Sequence, residues 1–376
     1  MSEQDTVNPT LFDLLAREWN TGSEIEAMLF NTNQTAVGYA LDNGSVAIAD
    51  AGDNDPPDQR IHTSAENGRS IIRPRAKPVR PLIMLEVGSA GGLLFGRLGE
   101  TDFVAGERNG PLYRVSASGE KTAFDIPLEG PIAATDQSAT EERFACAAAS
   151  QIMIFDSASL DPVLTLDQDE PVTGLSFSPD GQSIAAAHHR GMTVWSLQEG
   201  ASKTNELTFS GRPNAVSWSA DGLWLATPLS DGGFQLIDLE GNRARALTGY
   251  PSPVGSIIWN RQANAIVTSG AFRVTAWSMD APPIEDPASG ALETGRAGFV
   301  PVSAVVSHPA RNLVAAGYDN GNLVIVQIAG SDEMMLDSNG HGTVTALDWS
   351  RDGKNLALAA DNCRAAIISL PELMFK

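Results

Sequence analysis

The 376-residue chain is 42% hydrophobic, enough for one large or two ordinary domains with a core that needs no metal or disulfide staple. Twenty-five Lys and Arg against 46 Asp and Glu leave a net charge of -21, a field that repels nucleic-acid backbones and anionic membranes. The two cysteines, Cys146 and Cys363, lie far apart without CxxC spacing, which speaks against a disulfide scaffold or zinc ribbon and suits a reducing compartment.

At the amino terminus, "MSEQDTVNPT" has neither the basic start nor the apolar run of a secretory signal. No window holds about 18 uninterrupted apolar residues. The expectation is a soluble, cytoplasmic protein that binds neither membrane nor nucleic acid. In residues 11–19, "LFDLLAREW", Leu11, Leu14, Leu15 and Trp19 have the spacing of a short amphipathic helix. Phe30 then leads "NTNQTAVGYALDNGSVAIAD", the first of a series of related units.

Residues 54–80 interrupt the series and read as a surface loop. Its end, "RSIIRPRAKPVRP", carries Arg69, Arg73, Arg75, Lys77 and Arg80 and no acid, a marked asymmetry in so acidic a chain. Three readings stand: a Pro-stiffened arm lying on the protein's own acidic surface, a docking arm for an acidic partner, or a nucleic-acid contact. The last is weakened by the absence of interleaved aromatics. His62 lies in the same loop and has no assigned place.

Gly96 leads a second unit, "RLGETDFVAGERNGPLYRV", and a third runs through "ATEERFACAAASQIMIFD". From there the repeat is regular. Phe177 precedes "SPDG", Trp218 "SADG", Trp259 "NRQA", Ser307 "HPAR" and Trp349 "SRDG", at steps of 41, 41, 48 and 42 residues. The long step contains 281–299, "APPIEDPASGALETGRAGF", a second surface loop. Each unit opens with an alternating apolar segment such as "VTGLSF", then a Pro/Asp/Gly turn, then a small-residue strand such as "SIAAA" or "LALAA". A further turn, often "DNG", leads to a third strand such as "MTVWSL". Asx-Gly there is a strong hairpin signal, because both turn residues must tolerate positive φ. A looser fourth strand, such as "PVLTLD" at 162–167, completes the period. Four antiparallel strands per forty-odd residues, repeated radially, predict an all-β propeller of eight four-stranded blades, with seven as the alternative.

The turns "FSPDG", "WSADG" and "WSRDG", the third-strand endings "VWSL", "LIDL" and "AWSM", and the "DNG" turns resemble the WD40 family over nearly the whole chain. The chain departs from the family pattern in two places. The opening Gly-His pair survives only as Gly340-His341, and terminal Trp-Asp is replaced by Trp195-Ser196, Trp277-Ser278 and Ile237-Asp238. The buried His/Asp network of many members is therefore expected to be missing. The resemblance also implies that residues 1–24 close the ring, with 11–19 as its outermost strand, around a single propeller over 25–376. A short helix over the same residues is the competing expectation.

The resemblance places the loops leading into each unit and the turns between second and third strands on one face. The candidates for partner contact there are Arg108, His188, His189, Arg190, Arg212, Tyr250, Arg273, Tyr318, Asp319, His341 and Asp361. Cationic and aromatic residues are those expected at interface hot spots; each is otherwise an ordinary solvated turn residue. His188-His189 lacks the three or four converging donors of a metal site, since His341 and Cys363 belong to a distant unit. His308-Pro309 reads as turn chemistry. There is no GxSxG, GxxxxGK[ST], HExxH or strand-borne GxGxxG motif, and pairs such as Asp53/Asp55 and Glu141/Glu142 read as solvated loop acids.

The expected function is a non-enzymatic scaffold or adaptor that binds other proteins and uses no cofactor or metal. More specifically, "LTGYPSPVGSIIW", "SHPARNLVAAGYDNG" and "GTVTALDWSRDGKNLALAADN" are similar to a bacterial WD40 group encoded beside CobW-type metal-handling GTPases. That similarity implies an accessory role in zinc or metal handling with such a GTPase as partner. A third reading is an enzyme or ligand-binding propeller with its site in the central channel.

Overall fold

The computed structural model describes residues 9–63, 70–198, 200–209, 211, 213, 215–230, 232–338 and 342–375. The repeat resolves into eight four-stranded antiparallel sheets. Blades 1 to 8 cover 25–86, 93–124, 132–167, 172–208, 217–247, 257–293, 302–337 and 344–369. Strand order within blades 1 to 7 follows the sequence. Blade 8 supplies only three strands, and its fourth is Ala16–Asn20, which runs antiparallel to Arg364–Ser369 with Ala16 opposite Ile368 and Asn20 opposite Arg364.

Both expectations for 11–19 are met, each by one half of the segment. Leu11–Leu15 is a helix held by a Thr10/Asp13 capping box, and the strand begins at Ala16. Phe12 and Leu15 are buried against blades 7 and 8.

The small residues of the second strands follow from this architecture. Those strands are covered on both faces by neighbouring blades, so Ala145–Ala148, Ala185–Ala187 and Ala357–Ala360 are buried throughout. The apolar side chains form eight clusters, each between two successive blades, and the cluster joining blades 8 and 1 completes the circle. First strands adjoin one another around the centre and line the channel.

The first turns show why one position recurs. Ser178, Ser219 and Ser350 each donate their hydroxyl to the Asp two residues on (Asp180, Asp221 and Asp352) at 2.5–2.6 Å. Each also accepts the amide five residues on at 2.9 Å. Asn31, Asn260 and His308 do the same work elsewhere: Asn260 Oδ1 accepts the Ala263 amide, and His308 Nδ1 accepts that of Ala310. His308 is turn chemistry.

The interrupting loops carry some regular structure. Within 54–80 lie a helical turn, Pro57–Arg60, and a hairpin of Ile61–Thr63 with Ser70–Ile72. Within 281–299, the three residues Ala291–Glu293 are the fourth strand of blade 6. Asp53 and Asp55, read from sequence as solvated, are not. Asp53 Oδ2 takes Arg75 Nη2 at 2.6 Å and lies 4.0 Å from Arg17 Nε, and Asp55 Oδ2 accepts the Ala76 and Lys77 amides.

Candidate functional site

Antiparallel pairing alone puts the loop before each first strand and the turn between second and third strands at the same end of a blade. The predicted loop-face residues that are described therefore lie at the same end of their blades, whereas the basic arm, between the third and fourth strands of blade 1, lies at the other end; Arg69, Arg212 and His341 lie outside the described residues. Most of them are engaged by the protein itself. Arg108 donates to the carbonyls of Ile132 and Ala133 at 3.1 and 2.6 Å, tying blade 2 to blade 3. Arg273 donates to Gly295 O at 2.8 Å. The Tyr250 hydroxyl lies 2.7 Å from Thr268 Oγ1, its ring against Phe234 and Trp277, and burial raises its pKa. Burial, with Glu333 nearby, pushes the Tyr318 hydroxyl up to about 12. The Asp319 carbonyl and the Asp361 carboxylate both hold Thr343, at 3.1 and 2.8 Å.

"AHHRG" divides in the same way. His188 is the last residue of its strand, buried, with Nε2 3.5 Å from Thr193 Oγ1. Burial holds its pKa below the ordinary histidine value. His189 and Arg190 face solvent, and Arg190 meets Glu170 at 3.2 Å while 75% exposed, so that pair contributes little.

The basic arm is largely occupied by the ring closure. Arg75 pairs with Asp53 and Arg80 with Asp50, while Lys77 donates to Asn54 O at 2.7 Å. The Arg80 carbonyl accepts Trp19 Nε1 of the closing strand. From that strand, Arg17 donates to the carbonyls of Asp50, Ala51 and Gly52 at 2.7–2.9 Å. Arg60 reaches back to Leu14 O at 2.7 Å. Arg73 is exposed.

Two features escaped the sequence reading. The first is a charged cluster on the channel-lining strands. Asp136 accepts the Phe177 amide at 2.7 Å, and Asp348 accepts Arg97 Nη2 at 3.2 Å and the Phe30 amide at 3.1 Å. Burial pushes Asp136 up to about 6, against the pull of the Phe177 and Gln137 amides and of Arg97. Burial also raises Asp348, against the pull of Arg97. In "ATDQ" and "ALDW" these acids look like the solvent face of a strand.

The second feature is aromatic. Phe299 is 99% exposed and Phe272 43% exposed, on adjoining loops joined by the Gly298 amide to the Phe272 carbonyl at 2.9 Å. The signal was present as "GRAGF", hidden inside what read as featureless loop.

The channel acids serve backbone amides, and burial raises the Cys146 thiol well above its ordinary value. Among the described residues no group of three or more His, Cys, Asp or Glu is placed to hold a metal, and no helix is long and apolar enough to cross a membrane. What the arrangement offers chemically is a rigid ring bearing fixed loops.

A closed ring of eight four-stranded antiparallel blades defines a β-propeller. The WD domain, G-beta repeat family matches residues 160–196 and 334–367, the fourth strand of one blade followed by the first three of the next. With eight blades in register, the chain belongs to the WD40 β-propeller family.

Autophagy-related protein 16 of Arabidopsis thaliana is 27% identical over 180 residues, covering 48% of this chain and 35% of that protein. Target of rapamycin complex subunit wat1 of Schizosaccharomyces pombe is 23% identical over 224 residues, 55% of this chain and 67% of that one. COMPASS component SWD3 of Saccharomyces cerevisiae is 29% identical over 98 residues, 26% and 31% of the two chains. The chain thus spans about a third of the first and third of these relatives. Two of them are by name parts of complexes, and all three are eukaryotic.

Proposed function

We propose that this protein is a non-enzymatic, cytoplasmic interaction platform that binds other proteins through the loop face of its propeller. One observation carries the reading: Phe299, 99% exposed, is held out on a tied-down loop beside the exposed Phe272. A rigid ring with fixed loops is suited to recognition, and aromatic side chains dominate binding hot spots. Relatives named as complex components support the same reading. A CobW-type GTPase is the partner class the sequence resemblance suggests, and a purified member is a direct first bait.

The test is a pull-down from native extract with the intact chain, a Phe272→Ser/Phe299→Ser double variant, and Leu223→Ser as a control at an exposed turn on the opposite face. A stoichiometric partner retained by the wild type and the control is expected. Recovery of none under varied salt and pH overturns the reading.

A further inference from the structure

We infer that the sector over blades 6 and 7 is a docking site for an acidic protein segment anchored by an apolar side chain. The inference rests on the interaction-platform reading and names the partner's chemistry.

Three loops build the sector: 248–256, 269–274 and 294–301. They contain Arg273 and Arg296 and no Asp or Glu, in a chain with 46 acids against 25 Lys and Arg. Asp319 borders the sector, its amide held by Pro301 O at 3.1 Å. Glu333 also borders it, and its Oε1 accepts the Arg296 amide at 2.6 Å. The Arg296 side chain is exposed and makes no ion pair among the described residues.

The loops are fixed. Gly270 donates to Val302 O and Val302 to Ala271 O, both at 2.8 Å. Gly295 donates to Gly330 O at 2.8 Å, and Thr294, fully buried, accepts the Ala329 amide at 3.0 Å. Phe299 therefore stands in solvent on a preorganised support, where binding orders little that is not already ordered.

The occupant must bury Phe299 and Phe272, which calls for an apolar anchor, and must complement Arg273 and Arg296, which make no ion pair among the described residues although Glu293 and Glu333 stand at the sector's edge. Charge acts here within a Debye length of about 8 Å. A short acidic segment thus meets the local cations, whereas an extended polyanion runs on into the remainder of a chain at -21.

The test selects random peptides displayed on phage against the intact chain, with Phe299→Ser as counter-target. The best synthetic peptide is then titrated by fluorescence anisotropy. Enriched sequences should pair an apolar residue with nearby Asp or Glu. Affinity should fall about tenfold or more in Phe299→Ser and severalfold in Arg296→Glu, remain unchanged in Leu223→Ser, and weaken with salt.

A basic or neutral consensus, equal binding to Phe299→Ser, or no enrichment overturns the inference. So does stronger competition by single-stranded DNA than by the peptide. Light scattering that shows self-association lost in Phe299→Ser makes a second copy the occupant and overturns it as well. If an extract partner stays bound to Phe299→Ser, this site fails and the platform reading stands. If the wild type recovers no partner at all, the platform reading itself fails.

Discussion

Arg17 on the closing strand is 3% exposed and donates to three successive carbonyls of the loop after the third strand of blade 1. In Arg17→Met the alkyl stem remains and the three carbonyls lose their donor. A hydrogen bond to a charged group contributes about 1.5–3 kcal/mol, and removing one member of a buried charged pair costs about 3–5 kcal/mol. The three bonds share one guanidinium and do not add independently, and the variant is relieved of the burial that lowers the Arg17 pKa. The expected loss is therefore about 3–4 kcal/mol, a large part of a domain's usual 5–15 kcal/mol or so.

Urea unfolding measures this total, and native-state hydrogen exchange locates it. The amides of Ala16–Asn20 and Arg364–Ser369 should lose protection before those of blades 3 to 5. Arg80→Ala, at the half-exposed pair with Asp50, should cost less than about 1 kcal/mol. A loss below about 1 kcal/mol for Arg17→Met, or one matching Arg80→Ala, refutes the idea that the loop clamps the ring shut.

Asp136 has a raised folded-state pKa of about 6, so between roughly pH 4 and pH 6 the folded chain binds its proton more tightly than the unfolded chain. Its contribution to stability declines as pH rises through that window. Asp136→Asn keeps an acceptor for the Phe177 amide, and it should flatten the decline and stabilise by on the order of 2 kcal/mol at pH 8 in thermal or urea unfolding. Gly191→Ala should cost more than about 2 kcal/mol by urea midpoint, because its φ is +154° and a Cβ would strike the Leu207 carbonyl. Ser219→Ala, which leaves the Trp224 amide without its acceptor and Asp221 with only the Leu223 amide at the first turn of blade 5, should cost about 1 kcal/mol in the same assay. His189→Ala with Arg190→Ala should leave stability within about 0.5 kcal/mol, whereas His188→Ala should be measurably destabilising, since it opens space in a buried strand end.

The architecture was legible because local chemistry recurs at a fixed spacing. Ser178, Ser219 and Ser350 close the same turn with an Asp two residues on, and Phe177, Trp218 and Trp349 stand before it. Blade number followed once the weaker units were placed in that frame. The fourth strand of blade 6 did not show because three residues, Ala291–Glu293, carry no period. The partners of the basic arm were hidden because ion pairs such as Arg75–Asp53, though close in sequence, depend on the closing strand packed behind them. Asp136 and Asp348 did not stand out because alternation marks a polar face without saying whether that face meets bulk solvent or a channel. Phe299 escaped because composition marks a loop but not which of its side chains lacks a neighbour.

Ala16 pairs with Ile368, so the closing strand leaves the ribosome long before its partner does. At about 5–20 residues per second, Ala16–Asn20 waits on the order of tens of seconds for that partner. Until then blades 1 to 7 form an open arc with bare apolar flanks at both ends. The helix Leu11–Leu15, which buries Phe12 and Leu15 in the cluster of blades 7 and 8, lacks that cover for the same interval. Synthesis rate and chaperone supply should thus govern the yield of closed rings more than the final stability does. A circular permutant opened at an exposed turn and joined across the native termini would shift that wait to another blade without removing it.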